Sequence, residues 1–323
     1  MNKIKVGVIG TGALGRHHSR LYAANPLAQV IGIYDACYEQ AQRVGAEFGL
    51  PVFRDCAELV NACDALSVAV PATLHAETVL PLLKAGKHVL TEKPIDATIE
   101  GAEAMCRCAA QNGVILAAGH VERFNPAMDY YRSIDGSPIR RLELRREAAY
   151  PPPRPGLPPR GTEVSVVLDL MIHDIDLALY LTGSEPVQVE AQGITRYSPS
   201  FDRVDARIVF AGGAVADLTA SRISCLPERK MRLFRDADFM ELDFSRPQGI
   251  RQMYADTPQN SGEALEFASK NALADELDDF LRCVSGEKKR PLCAGTDALA
   301  ALRLAQQIEL AAVEHQKRYG DGK

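Results

Sequence analysis

The chain has 323 residues, 46% hydrophobic and 24% charged, with a formal net charge of −5. That length corresponds to about two domains, the composition suits a globular fold with a sizeable core, and the acidic balance argues against nucleic-acid or anionic-membrane partners, which need a basic patch. No apolar run is long enough to span a bilayer. The eight cysteines form no Cys-x-x-Cys pair and no His/Cys cluster of zinc spacing, so no metal is expected and the thiols read as free in a reducing cytoplasm.

Lys3–Ile9 reads as a buried strand; the run is too short for a signal peptide and passes straight into a glycine loop. A helix is expected from about Leu14 to Ala24, then a strand Gln29–Tyr34 ending at Asp35. Glu39–Phe48 is helical, stopped by Gly49 with Pro51 beyond. An apolar strand Ala65–Val70, a helix Ala76–Ala85, a short strand His88–Thr91, a helix Ile99–Gln111 and a strand Val114–Ala118 follow. Strands apolar on both faces, alternating with helices, predict an α/β half with a doubly wound parallel sheet.

The pattern changes after about residue 137. Ile139–Ala149 is a long strand candidate, and Pro151–Pro159 is too proline-dense for a helix or a central strand. Val164–Leu181 reads as a helix. Strand candidates without intervening helices come next: Val187–Thr195, Arg203–Phe210, Ala214–Ser221, Arg229–Phe234 and Phe239–Phe244, with Gly212-Gly213 as a hairpin turn. Helices are expected again over about Ala264–Val284 and Thr296–Gln316. This half reads as an α+β arrangement around a mainly antiparallel sheet.

Three groups of residues carry chemistry. Gly10-Thr11-Gly12-Ala13-Leu14-Gly15 sits between a strand and a helix, the context a dinucleotide-binding loop requires. Gly10 permits the turn, Gly12 lets the backbone approach a pyrophosphate, and Gly15 lets the helix pack on the strand. The free N–H groups at the helix start then face the phosphates. Asp35 ends the second strand twenty residues past Gly15, where a ribose-binding carboxylate belongs. A carboxylate there repels a 2′-phosphate, so NAD is expected over NADP.

Glu92-Lys93-Pro94 follows a short strand of the same half. Pro94 keeps the residue before it extended and aims Lys93; a solvated loop is the other reading of such a tripeptide. In Asp169-Leu170-Met171-Ile172-His173-Asp174-Ile175-Asp176, Asp169 and His173 are i and i+4 and share a helix face. A carboxylate beside an imidazole orients it and tunes it for proton transfer near neutrality, although a buried Asp–His pair is also a common structural device.

Together these pieces resemble the glucose–fructose oxidoreductase/inositol dehydrogenase (Gfo/Idh/MocA) family over essentially the whole chain. The matching stretches are the Gly10–Gly15 loop, Val70-Pro71-Ala72-Thr73-Leu74-His75, Glu92-Lys93-Pro94, Asp169-x-x-x-His173 and Asp297-Ala298-Leu299-Ala300-Ala301. The resemblance implies a Rossmann domain over residues 1–122. A substrate and oligomerisation domain of α+β type, with an open antiparallel sheet, would occupy 123–323, and the C-terminal helices (about 264–316) would pack back on the first domain. It implies Lys93 as catalytic lysine, His173 as acid/base and Asp169 as its partner, with Pro71, Thr73, His75, Glu92 and Lys93 near the cofactor. It also implies a dimer or tetramer.

Gly119-His120-Val121-Glu122-Arg123-Phe124-Asn125-Pro126 and the stretch from Val164 to Asp176 further resemble members that oxidise the 3-hydroxyl of UDP-N-acetylglucosamine. A UDP-sugar needs cations for its pyrophosphate, so Arg123, Arg154 and Arg160 are candidates, along with His120 and Asn125. Surface solvation is the other reading of the arginines, and a helix N-cap followed by Pro126 that of Asn125. Two alternatives stand beside this substrate: a free sugar or polyol such as myo-inositol, and a non-catalytic NAD-sensing binding protein.

Overall fold

The alternating strands and helices of the N-terminal half build a five-stranded, all-parallel sheet in the order β2-β1-β3-β4-β5. Its elements are β1 (Ile4–Ile9), α1 (Ala13–Ala24), β2 (Ala28–Tyr34), α2 (Tyr38–Phe48), α3 (Cys56–Ala62), β3 (Ala65–Val68), α4 (His75–Lys84), β4 (His88–Thr91), α5 (Ile99–Asn112) and β5 (Leu116–Ala118). Both faces of the sheet are covered, which is why β3 is buried at every position. The order reverses between β1 and β3, so a crevice opens at their carboxyl ends. Helix α3 lacks an apolar period in the sequence; the Asp55 side chain caps it by accepting the Ala57 N–H at 2.8 Å.

The computed structural model describes residues 3–134, 136–153, 159, 161–255 and 262–320. The chain divides into two units, Met1–Phe124 with Asn271–Leu299 and Asn125–Lys270 with Ala300–Lys323.

The second unit contains α6 (Pro126–Ser133), β6 (Ile139–Glu147), a π-helical turn Val167–Met171 running into α7 (Ile172–Thr182), and the strands β7 (Pro186–Ile194), β8 (Arg203–Phe210), β9 (Val215–Ser221), β10 (Glu228–Arg235), β11 (Asp238–Asp243), β12 (Gln248–Met253) and β13 (Glu263–Glu266). The eight strands form one open sheet, β13-β12-β11-β10-β6-β9-β8-β7. Every pairing is antiparallel except β6 with β9. Period-2 alternation sets its faces: Val204, Ala206, Ile208 and Phe210 of β8 point to the core, with Arg203, Asp205 and Arg207 between them. Helix α7 covers the inner face with Ile172, Ile175, Leu177 and Ala178, joined by Leu304, Ala305, Ile308 and Ala312 of the last helix. Burying each of these isoleucines and leucines stabilises the unit by roughly 1.5–3 kcal/mol, and each alanine by less.

Two helix boundaries differ from the sequence expectation. The helix expected from Ala264 begins only at Ala272, as α8 (Ala272–Val284), capped by Asn271. Residues Glu263–Glu266 instead pair with β12, a strand the sequence reading does not contain. Likewise, the helix expected over Val164–Leu181 starts at Val167 with a π turn. Helix α8 sends Leu277, Phe280 and Leu281 into the core of the first unit, and α9 (Gly295–Tyr319) closes the chain. Among the described residues no helix is long and apolar enough to cross a membrane.

Candidate active site

The glycine loop adopts the geometry its sequence demands. Gly10 has φ +86°, and a Cβ on it would lie 2.6 Å from the Ala69 carbonyl oxygen; a Cβ on Gly15 would lie 1.8 Å from the Gly10 carbonyl oxygen. Over Gly12 there is open space, and α1 starts there without a side-chain cap. Its first N–H groups therefore remain available for a phosphate. Asp35 faces the loop: its Oδ2 accepts the Thr11 N–H at 2.6 Å and the Thr11 hydroxyl at 3.0 Å, and its Oδ1 accepts the Cys37 N–H at 2.9 Å. Beside them lies a cavity of about 720 Å³ lined by Gly10, Gly12, Asp35, Ala36, Val70 and Pro71 among others. A tight loop open over Gly12, helix-start N–H groups and a carboxylate at the end of β2 suit a dinucleotide; Ala13 and Leu14 form the first helical residues above it.

Past β4, Glu92 is buried and Lys93 half-buried. Glu92 Oε1 lies 2.9 Å from Nε2 of His18, and Nδ1 of the same ring lies 2.7 Å from the Ser67 hydroxyl. Glu92 Oε2 accepts the Lys93 N–H at 3.2 Å. Burial pushes the Glu92 carboxyl up, but its bond to His18 and the His18 and Lys93 charges outweigh this and hold it below the usual carboxylate range. Gly119 leaves room for this carboxylate, since a Cβ there would lie 2.9 Å from Oε2. The sequence reading missed His18 and Ser67; a serine within an otherwise apolar run was the signal for a buried polar partner.

Pro71 opens the short turn Ala72–Leu74, in which Thr73 is exposed. His75 is buried, with Nε2 3.0 Å from the Val70 carbonyl and Nδ1 3.0 Å from that of Pro94. Its ring ties the segment after β3 to the one carrying Lys93. His120 and Arg123 are also buried. The Arg123 guanidinium donates to the Leu292 carbonyl at 2.7 Å and lies 3.5 Å from Asp297. That commitment within the first unit corrects the surface-solvation reading and weighs against its use on a pyrophosphate.

In the second unit, Asp169 lies in the π turn and His173 in the first turn of α7, both half-buried. The turn changes the offset expected of an i, i+4 pair on a regular α-helix, a device often found at functional sites. Gly161, φ +83°, packs against Asp169; a Cβ there would lie 2.2 Å from its Oδ2. Beside His173, Asp174 receives the buried Arg146 guanidinium at 2.8 Å. Arg146 points into the core from β6 by the alternation of the strand, so it needs this partner.

Arg222 holds the approach to α7. Its Nε donates to Asp202 Oδ1 at 2.9 Å and its Nη1 to the Gly161 and Val164 carbonyls at 2.6 and 2.9 Å. Burial raises the Asp202 carboxyl, but the Tyr197 N–H, Arg222, the Arg196 N–H and the Ser198 hydroxyl dominate and bring it down to about 2. Ser165 donates to Glu309. The carboxyl of Glu309 is pushed up by burial, partly offset by that bond. Asn125 caps α6, accepting the Ala127 N–H at 3.1 Å, and donates to the Phe244 carbonyl at 3.1 Å; Arg154 and Arg160 lie outside the described residues.

The family model of the oxidoreductase family with an NAD-binding Rossmann fold matches residues 4–120, and the GFO/IDH/MocA C-terminal domain matches residues 139–236. The UDP-N-acetylglucosamine 3-dehydrogenase of Acidithiobacillus ferrooxidans is 35% identical over 96% of this chain and 98% of its own. A solved structure of that enzyme superposes with a TM-score of 0.88 at 34% identity, covering 96% and 98% of the two chains. The inositol 2-dehydrogenase of Rhizobium meliloti is 26% identical over 94% of each chain. Levoglucosan dehydrogenase in complex with NADH shares the fold, with a TM-score of 0.85 at 20% identity over 97% and 98% of the chains. This chain belongs to the Gfo/Idh/MocA family of NAD-dependent oxidoreductases.

Proposed function

We propose that this chain oxidises the 3-hydroxyl of UDP-N-acetylglucosamine with NAD. The observation that carries the substrate is the near-full-length similarity, at 35% identity, to an enzyme named for that reaction. Lys93, Asp169 and His173 supply the chemistry it needs, which speaks against a non-catalytic NAD sensor. The inositol dehydrogenases that match over nearly the whole chain are 26–30% identical, so a free polyol is the second reading.

The glycine loop and Asp35 hold the dinucleotide, with its phosphates at the start of α1. When bound, the nicotinamide accepts the hydride. Lys93, fixed through its backbone by Glu92, places a positive charge where the alkoxide develops. His173 accepts the hydroxyl proton at a ring nitrogen, and Asp169 orients that ring. His120 is a further candidate for contact with the substrate. Loss of the proton to His173 and of hydride from the carbon leaves a neutral ketone, so the alkoxide charge that Lys93 faces is transient.

The cytoplasm is the proposed compartment, and all eight cysteines are free thiols, which fits reducing conditions. A dimer or tetramer is proposed to cover the outer face of the eight-stranded sheet, where ion pairs such as Arg141–Asp217 and Arg232–Glu241 lie partly exposed. The test of the substrate is NADH formation by the purified protein with UDP-N-acetylglucosamine, free N-acetylglucosamine and myo-inositol. Formation with the first alone supports the reading; turnover of myo-inositol alone refutes it.

A further inference from the structure

Tyr197 is 64% exposed, yet its backbone is among the most firmly held in the second unit. Asp202 Oδ2 accepts the N–H groups of Arg196, Tyr197 and Ser198 at 2.8, 2.6 and 3.2 Å, and Asp202 itself is buried against Arg222. The Tyr150 ring meets Tyr197 edge to face at 5.3 Å, and its hydroxyl donates to the Tyr197 carbonyl at 3.3 Å. Arg196 is exposed and has no ion pair among the described residues; its guanidinium lies 5.7 Å from the centre of the Tyr197 ring. A rigid mount thus presents a largely exposed aromatic ring beside a cation that has no carboxylate partner among the described residues. Ordering such a pair on binding costs little, because the backbone is already fixed.

The pair also stands at the catalytic end of its unit. Strands β6, β7 and β9 point the same way, so Tyr150, Tyr197 and Arg222 all emerge from one end of the sheet. Arg222 connects the two regions directly: Nη2 donates to the Ser198 hydroxyl at 2.7 Å while Nη1 donates to the carbonyl of Gly161, the residue packed on Asp169.

We infer that Tyr197 and Arg196 form the platform for the nucleoside diphosphate end of the substrate, the ring stacking on the pyrimidine and the guanidinium pairing with a phosphate. This rests on the nucleotide-sugar reading above. Stacking suits a base because every base offers a π-face, and arginine suits a phosphate through its planar donors. The chemistry calls for a flat, diphosphate-bearing ligand, which a free polyol is not.

The test is calorimetric titration of UDP into the full-length protein saturated with NAD, for wild type, Tyr197→Ala, Tyr197→Phe and Arg196→Gln. Oligomeric state is measured in parallel by light scattering. Tyr197→Ala is expected to weaken UDP binding about ten-fold, the scale on which a base–aromatic stack contributes, and Tyr197→Phe to retain it. Arg196→Gln is expected to weaken binding and flatten its salt dependence. NAD affinity should not move in any of the three. Unchanged UDP affinity in Tyr197→Ala, loss of the oligomer as its sole effect, or a wild type that does not bind UDP overturns the platform. A wild type that binds UDP through Tyr197 but does not oxidise UDP-N-acetylglucosamine leaves the platform standing and removes the substrate reading.

Discussion

Glu92 and His18 share a hydrogen bond of 2.9 Å inside the first unit, and the far nitrogen of the same ring lies 2.7 Å from the Ser67 hydroxyl. The chain Ser67–His18–Glu92 runs from a central strand to the residue preceding Lys93. Glu92 is buried, so its charge depends on this partner. Replacing His18 with Phe leaves a buried carboxylate short of a hydrogen bond, which costs about 1–3 kcal/mol. The sign with pH follows from the lowered Glu92 carboxyl. Its stabilising contribution is present above the ordinary carboxylate value and is lost as pH falls through the lower folded value. His18→Phe should therefore raise the pH at which acid unfolding occurs, read by circular dichroism, and lower kcat with little change in the Kd for NAD.

Lys93→Met should abolish turnover. In the proposed mechanism Lys93 contributes charge at the reacting hydroxyl, whereas the glycine loop and Asp35 are assigned to the dinucleotide, so NAD binding should survive. Fluorescence titration with NADH beside a turnover assay separates the two. Near-normal turnover would remove Lys93 from the catalytic role.

Asp35 is proposed to set the choice of cofactor. A carboxylate a few ångströms from a 2′-phosphate repels it by on the order of 1 kcal/mol or more in a solvated site. The wild type should prefer NAD over NADP in kcat/KM, and Asp35→Ser should narrow that preference by about ten-fold, since 1.4 kcal/mol is one decade. The same change frees Thr11 from its bonds to Asp35, so some loss of NAD affinity should accompany it.

Asp202 supplies a second pH signature. Its carboxyl sits at about 2 in the fold against 3.8 ordinarily. A depressed acid stabilises above its unfolded value and loses that contribution as pH falls toward the folded one; the gap corresponds to about 2 kcal/mol. Asp202→Asn should lower the Tm at neutral pH by several degrees and flatten the dependence of Tm on pH between about 4 and 2. An unchanged thermal profile would show that Arg222 finds equivalent acceptors elsewhere.

Gly161→Ala tests the contact with Asp169 directly. Positive φ disfavours any side chain, and the new Cβ would press on the Asp169 carboxylate. We expect kcat to fall at least ten-fold through the misplaced Asp169–His173 pair, with a stability cost of about 1–2 kcal/mol. Gly213→Ala, also at positive φ but facing open space, is the control for backbone strain alone.

Local periodicity made the parallel sheet and most of the second sheet legible, because an apolar run or a clean alternation survives whatever it packs against. The features decided by distant partners were not legible. Ala264–Glu266 has a helical neighbour in sequence, but pairing with Gln248–Ile250 makes it a strand. The π turn at Asp169 leaves no mark in a 3.6-residue pattern. Arg123 looks like any surface cation until Leu292, more than 160 residues away in sequence, supplies its acceptor. The glycine loop, Asp35, Lys93 and His173 stand out as candidates in the sequence because the proposed chemistry constrains residue type, whereas Ser67, His18, Asp202 and Arg222 act only through what they touch.

The lone parallel pair in the second sheet has a further consequence. Strands β6 and β9 lie side by side, yet the chain between them must leave the sheet, pass through α7 and return by way of β7 and β8. At the exit, Ala148 donates to the Ser221 carbonyl and accepts from Ser224; at the re-entry, Val166 donates to Phe201. Ala148 is thus tied to the end of β9 and the residues just past it, and Val166 to a residue that lies just before β8. Among the described residues, no strand of the sheet draws on the stretch 149–164, so grafting that stretch from a polyol-oxidising relative, with Gly161 kept for its contact with Asp169, would test whether substrate choice resides there while leaving the strand pairing intact.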